Sequence, residues 1–213
     1  MKGIKFLVFG LYAFLGLCSE LVFIYVIEPI IYGMKLSEWG TGQYISHWII
    51  TCITWGIVAF LIVRTSKNEF SFDIFESKKT MKFWQWLILI VCILFNVFFN
   101  FFNWNGFKIV EEFQNLGLTK FIFQYIYYFF EIILVTLIIV FAQKAFEIWL
   151  KKEGFPFGGI ILALSWGLVH IFTKGLFIGL VSLVVGFIFG SIYLLVNRDI
   201  KTTVIILFIM FIL

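Results

Sequence analysis

Apolar residues in this chain come in long blocks, not at the alternating spacing of a half-buried strand or the one-sided spacing of a surface helix. Six blocks stand out, at residues 6–27, 44–63, 83–102, 121–143, 157–172 and 176–196, the first closed by Glu28-Pro29. An α-helix of about 20 apolar residues crosses a hydrocarbon core about 30 Å thick. The pattern therefore predicts an all-α, polytopic membrane helix bundle of six spans. A seventh apolar stretch, residues 203–213, is too short to span by itself and is expected either to half-cross the membrane or to dock on the bundle.

Composition agrees with the blocks. The chain is 62% hydrophobic and 13% charged, where soluble proteins carry about 25% charged residues. No Pro/Ser-rich linker or separately folding polar block interrupts it, so residues 1–213 read as a single integral membrane domain whose first partner is the lipid bilayer. Lys and Arg concentrate on the cytoplasmic side of membrane proteins. With the N-terminus inside, twelve basic residues fall on that side and four outside, namely Lys35, Lys108, Lys120 and Lys174. This predicts a cytoplasmic N-terminus, with loops 64–82 and 144–156 on the same side, Lys78 and Lys79 among their charges. The net charge of +4 is thus a topology signal, and nucleic acid is not expected as a partner. Loop 64–82 mixes Glu69, Asp73 and Glu76 with Phe70, Phe72 and Phe75, the pattern of an amphipathic segment lying on the membrane surface. The external stretch 103–120 carries Glu111–Glu112, expected to be a solvated pair.

Cys18, Cys52 and Cys92 sit in three different apolar blocks without CxxC or metal-ligand spacing, and read as small buried hydrophobes. Leu17 precedes Cys18 where a lipoprotein signal wants a small residue, so the first block is expected to stay as a membrane anchor. No metal ligands are assigned, and the sequence leaves any cofactor open.

An ionisable side chain at mid-membrane costs about 2.5–3.5 kcal/mol on insertion scales, so each one is a functional candidate. Four sites qualify: Glu20 in the first block, Glu131 in the fourth, Gln143 with Glu147 one turn further on, and His170 in the fifth. Asn96, Asn100 and Asn103 put an amide stripe on the third block, suited to interhelical hydrogen bonds. The fifth block is the most informative. Pro156 suits a helix start, Gly159, Ala163 and Gly167 form a small-residue ladder for close packing, and Trp166 stands one turn before His170. His170 and Glu131 are expected to face each other in the interior, since neither gains from facing lipid.

Residues 121–213 resemble the CAAX protease and bacteriocin-processing family, also called CPBP or Abi. The resemblance rests on WLKKEG, then a proline with small residues, then ILALSWGLVHIF, then the glycine-rich FIFGSIYLLVNRDI. The family's Phe-x-x-x-His stands here as Trp166-x-x-x-His170. Its Glu-Glu-x-x-x-Arg motif would fall at Leu137 to Gln143, which holds no carboxylate, and its final His-x-x-x-Asn/Asp would fall at Ile205 to Leu213, which is wholly apolar. The resemblance implies an intramembrane glutamic-type endopeptidase scaffold in a bacterial plasma membrane, with Glu131, Glu147 and His170 as candidate catalytic residues and Glu20, Gln143 and Trp166 as candidate binding residues. With the paired glutamates missing, it implies a catalytically degenerate member that acts by binding a membrane peptide, a bacteriocin or a membrane protein, as in self-immunity or scaffolding. An active CAAX-type peptidase and a small-molecule uptake component stay open as alternatives.

Overall fold

In a computed structural model, which describes residues 2–76 and 80–213, the apolar blocks become helices. The first, α1 (Lys2–Val22), runs through a π-helical turn (Phe23–Ile27) into α2 (Glu28–Tyr32), where Gly33 at φ 63° ends it. Glu28-Pro29 does not stop the helix at Ile27, because the backbone stays right-handed helical through the π turn, a local widening of the kind that lets a helix accommodate the bond a proline cannot donate. There follow α3 (Thr41–Phe70), α4 (Phe83–Trp104), α5 (Lys108–Leu150) and α6 (Phe157–Leu162). A second π-helical turn (Ala163–Gly167) joins α6 to α7 (Leu168–Lys174), and α8 (Leu176–Leu195) and α9 (Ile200–Ile212) complete the chain. Six of these helical units are long and apolar enough to cross a membrane. The molecule is an all-α polytopic bundle, with no strand among the described residues.

The bundle is built around α5. Its residues Glu131 to Gln143 are buried nearly without a break, and α1, α3, α6 and α9 pack around it. A helix apolar on every face belongs in such a centre. By contrast α4 leaves most of its large side chains, such as Leu94, Phe95 and Phe98, exposed, as a lipid-facing peripheral span would.

Two stretches differ from the sequence reading. Residues 103–120 are not a plain external loop: α5 already begins at Lys108 and bends at Gly117, whose φ 69° and ψ 165° lie in a region that glycine alone occupies without strain. In loop 64–82 the described residues 70–72 pack two phenylalanines into the bundle. Helix α3 continues to Phe70, and Phe70 and Phe72 turn inward onto Phe6, Phe9 and Phe141, with Phe6–Phe72 ring centroids 5.1 Å apart. The end of the bundle between α1 and α5 offers these rings more apolar contact than the interface would. Lys67 binds Asp73 at 2.7 Å, and this bond, together with one from the Phe75 N–H, holds the Asp73 carboxyl below its usual range. Lys78 and Lys79 lie outside the described residues.

The basic-rich segments meet at one end of the bundle. Lys5 lies over the Phe70 ring, Asn197 Nδ2 donates to Thr80 O at 3.1 Å, and Arg198 Nη2 donates to Glu147 at 2.6 Å. At the opposite end Lys120 lies over Tyr44. This grouping is the alternation that the basic residues predict.

The small-residue ladder does what its spacing suggests. A Cβ on Gly159 would meet Phe187 O at 2.7 Å, one on Gly186 would meet Ala163 N at 2.9 Å, and one on Gly167 would meet the Leu183 backbone at 3.1 Å. The fifth and sixth spans therefore touch backbone to backbone. Helix α9 has 13 residues, about 20 Å long at the usual rise, and it docks on the bundle by burying Ile200, Thr203, Ile206, Leu207 and Met210. Asn96 of α4 ties it in place by donating to Met210 O at 2.7 Å.

Candidate functional site

Away from the basic end, several elements converge on a cavity of about 230 Å³. Helix α5 supplies Tyr127 and Glu131, one turn apart on the same face, with Tyr128 beside them. The second π-helical turn supplies Trp166, and α7 adds His170 and Lys174 at successive turns. Helix α1 contributes Glu20. A π turn inserts a residue into a helix and re-aims the side chains around it, and here it carries the tryptophan that links the two candidate catalytic groups.

That link has a definite chemistry. Trp166 Nε1 donates to Glu131 Oε1 at 2.9 Å, and the Trp166 carbonyl is bonded by His170 Nδ1 at 2.8 Å, with the two rings 4.4 Å apart. Glu131 and His170 thus line one cavity and are joined through Trp166. Among the described residues no direct ion pair connects them. A carbonyl oxygen can only accept, so His170 Nδ1 carries the hydrogen, and in the neutral ring Nε2 is a lone-pair acceptor. Glu131 is 8% exposed, held by the indole and walled by aromatic rings.

Glu20 enters through a second chain of bonds. Tyr127 OH donates to Glu20 Oε1 at 2.7 Å, and the same oxygen lies 3.7 Å from His47 Nε2. His47 Nδ1 meets Glu28 Oε2 at 2.7 Å, with both side chains almost wholly buried. His47 and Glu28 were not among the sequence candidates. The available signal was an ionisable residue at the edge of an apolar block, obscured because Glu28 reads as a stop before proline and His47 as loop-proximal. Glu112 was missed in the same way. In place of a solvated pair with Glu111, it is 5% exposed and accepts from Tyr125 OH at 2.9 Å and Tyr128 OH at 2.8 Å. The fold-back at Gly117 brings it over its own helix.

Gln143 and Glu147 lie elsewhere, at the basic end. Gln143 accepts from Gly158 N–H at 2.9 Å and donates to Phe155 O at 2.9 Å and Glu147 Oε1 at 2.8 Å. Arg198 then closes on Glu147 and on the Glu153 carbonyl. These groups border a larger cavity of about 740 Å³ that also reaches Tyr193 and Lys144. The structure thus divides the sequence candidates in two: Glu20, Glu131, Trp166 and His170 share the outer cavity, while Gln143 and Glu147 form a latch between the loop after α5 and the turn before α9. Among the described residues no three His, Cys, Asp or Glu side chains converge as ligands of one metal ion.

Compared with protein-family models, with curated proteins and with solved structures, the chain finds no match.

Proposed function

We propose that this chain is a CPBP/Abi-type membrane protein that binds a membrane peptide or protein segment without cleaving it, the class that includes bacteriocin self-immunity and scaffolding. The observation that carries the reading is the state of the groups around His170. Peptide hydrolysis on a glutamate scaffold needs a carboxylate free to hold the attacking water and a donor aimed at the developing oxyanion. Here one oxygen of the nearby carboxylate, Glu131 Oε1, takes the Trp166 Nε1 hydrogen and leaves only the other to meet a water, and the ring hydrogen of His170 is spent on a carbonyl, so no oxyanion donor comes from the neutral ring. At the positions that correspond to the family's paired glutamates, Leu137 to Gln143, every residue is at most 2% exposed and none is acidic. Gln143, the one polar group among them, has its amide engaged on both sides.

A second reading, an active endopeptidase, is favoured by one fact: Glu131 and His170 do border the same cavity. A comparison of membrane-peptide cleavage by the wild type and by a His170→Ala variant separates the two. The binding reading expects identical peptide termini. The peptidase reading expects a terminus that vanishes with the histidine.

A further inference from the structure

The interior of the outer cavity is short of hydrogen-bond donors. Trp55 Nε1 gives its hydrogen to Gly16 O at 2.8 Å, Trp166 Nε1 to Glu131, Tyr127 OH to Glu20, Tyr128 OH to Glu112 and His170 Nδ1 to Trp166 O. The donors that remain on the lining are Tyr25 OH and the Lys174 ammonium, both on exposed residues, and the weak S–H of Cys18; the other polar groups are acceptors. Glu20 and Glu131 each have one carboxylate oxygen engaged and a second without a hydrogen bond among the described residues, and neutral His170 presents Nε2. Around them stand the rings of Phe14, Trp55, Tyr127 and Trp166.

Acceptors inside an aromatic wall select a cation that can donate. A quaternary ammonium would be drawn to the rings but could not satisfy the carboxylates, whereas a primary ammonium brings three N–H donors and interacts with aromatic faces as well. We propose that this cavity binds a primary ammonium group, a lysine side chain or an amino terminus, presented by a peptide at the face opposite the basic loops. The proposal rests on the binding reading above and names what is bound. The volume, about 230 Å³, is that of a site for one side chain. A whole helix would not fit. Lys174, exposed at the rim of the same cavity, bears the same chemical group on a flexible stem. It is the guest's competitor in cis.

The test uses the full chain in nanodiscs of phosphatidylcholine and phosphatidylglycerol, titrated with N-acetyl-lysine methylamide, its Nε-trimethyl derivative and its neutral Nε-acetyl derivative. Saturable binding of the free amine is expected, with both derivatives about tenfold weaker or more, the scale of one lost charge-assisted hydrogen bond. Glu131→Gln should weaken the amine similarly, and Lys174→Gln should tighten it. Three outcomes overturn the proposal: no saturable binding of the free amine, equal binding of the neutral derivative, or loss of binding in Lys174→Gln, which would show that Lys174 helps to hold the probe and does not compete with it. If Glu131→Gln does not fold, the three probes on the wild type still decide. Phosphatidylethanolamine carries the same ammonium, so a second set of nanodiscs containing it separates the sources. Peptide capture expects the probe still to bind there, and abolished binding would make the lipid headgroup the occupant and refute the peptide source. The capped probes are read by binding alone, so their failure would refute the ammonium site and leave the non-cleaving reading to the peptide comparison.

Discussion

Gln143 shows how one side chain fixes a local fold. It sits fully buried near the end of α5, with its oxygen on Gly158 N–H and its nitrogen on Phe155 O, so it closes the turn that starts the fifth span. Replacing it with the similarly sized leucine leaves a buried N–H without a partner, which costs about 1–3 kcal/mol. Reversible unfolding of Gln143→Leu in mixed micelles should show a loss in that range, and an unchanged midpoint would mean that the bonds are not formed. The sequence marks Gln143 as an amide out of place in an apolar block, which is why it was a candidate. It does not mark the partner, because Gly158 and Phe155 are met through their backbones. The same limit explains His47. A lone histidine near a block's edge becomes informative once α2 and α3 place Glu28 2.7 Å away, and that is a contact between helices, invisible to spacing along either one.

Among the elements, the spans themselves were legible, because about 20 apolar residues have one stable state in a bilayer. What was not legible was the fate of the polar ends: the folding-back of Lys108 to Leu116 over Tyr125 and Tyr128, and the inward turn of Phe70 and Phe72. Both depend on what lies across the bundle. The small-residue ladder was legible because it encodes a distance. A side chain at Gly167 meets the Leu183 backbone at 3.1 Å, whereas at Gly10 the nearest atoms to an added Cβ are at 3.7 Å. Gly167→Leu should therefore force the fifth and sixth spans apart and sharply lower folded yield in membranes. Gly10→Ala, buried yet in ordinary contact, should be neutral or slightly stabilising, since alanine favours a helix interior by about 0.5–1 kcal/mol over glycine. Equal yields for the two variants would show that the ladder does not hold these helices.

At the scale of the molecule, the two polar centres lie toward opposite ends of the bundle, and their orientation follows from the basic residues. Single cysteines at Glu76 and at Lys35, both exposed, in a background without Cys18, Cys52 and Cys92, should react with a membrane-impermeant maleimide from outside intact cells at position 35 and not at position 76. The reverse pattern would invert the bundle and turn the outer cavity toward the cytoplasm. The central claim is that the Glu131–Trp166–His170 cavity binds and does not cut. Its most direct test is mass-spectrometric mapping of peptide termini in membranes from cells that make the wild type, His170→Ala or Glu131→Gln at matched protein levels. The account predicts the same set of termini in all three. A terminus present with the wild type and absent from both variants would contradict it and make Glu131 and His170 a working catalytic pair.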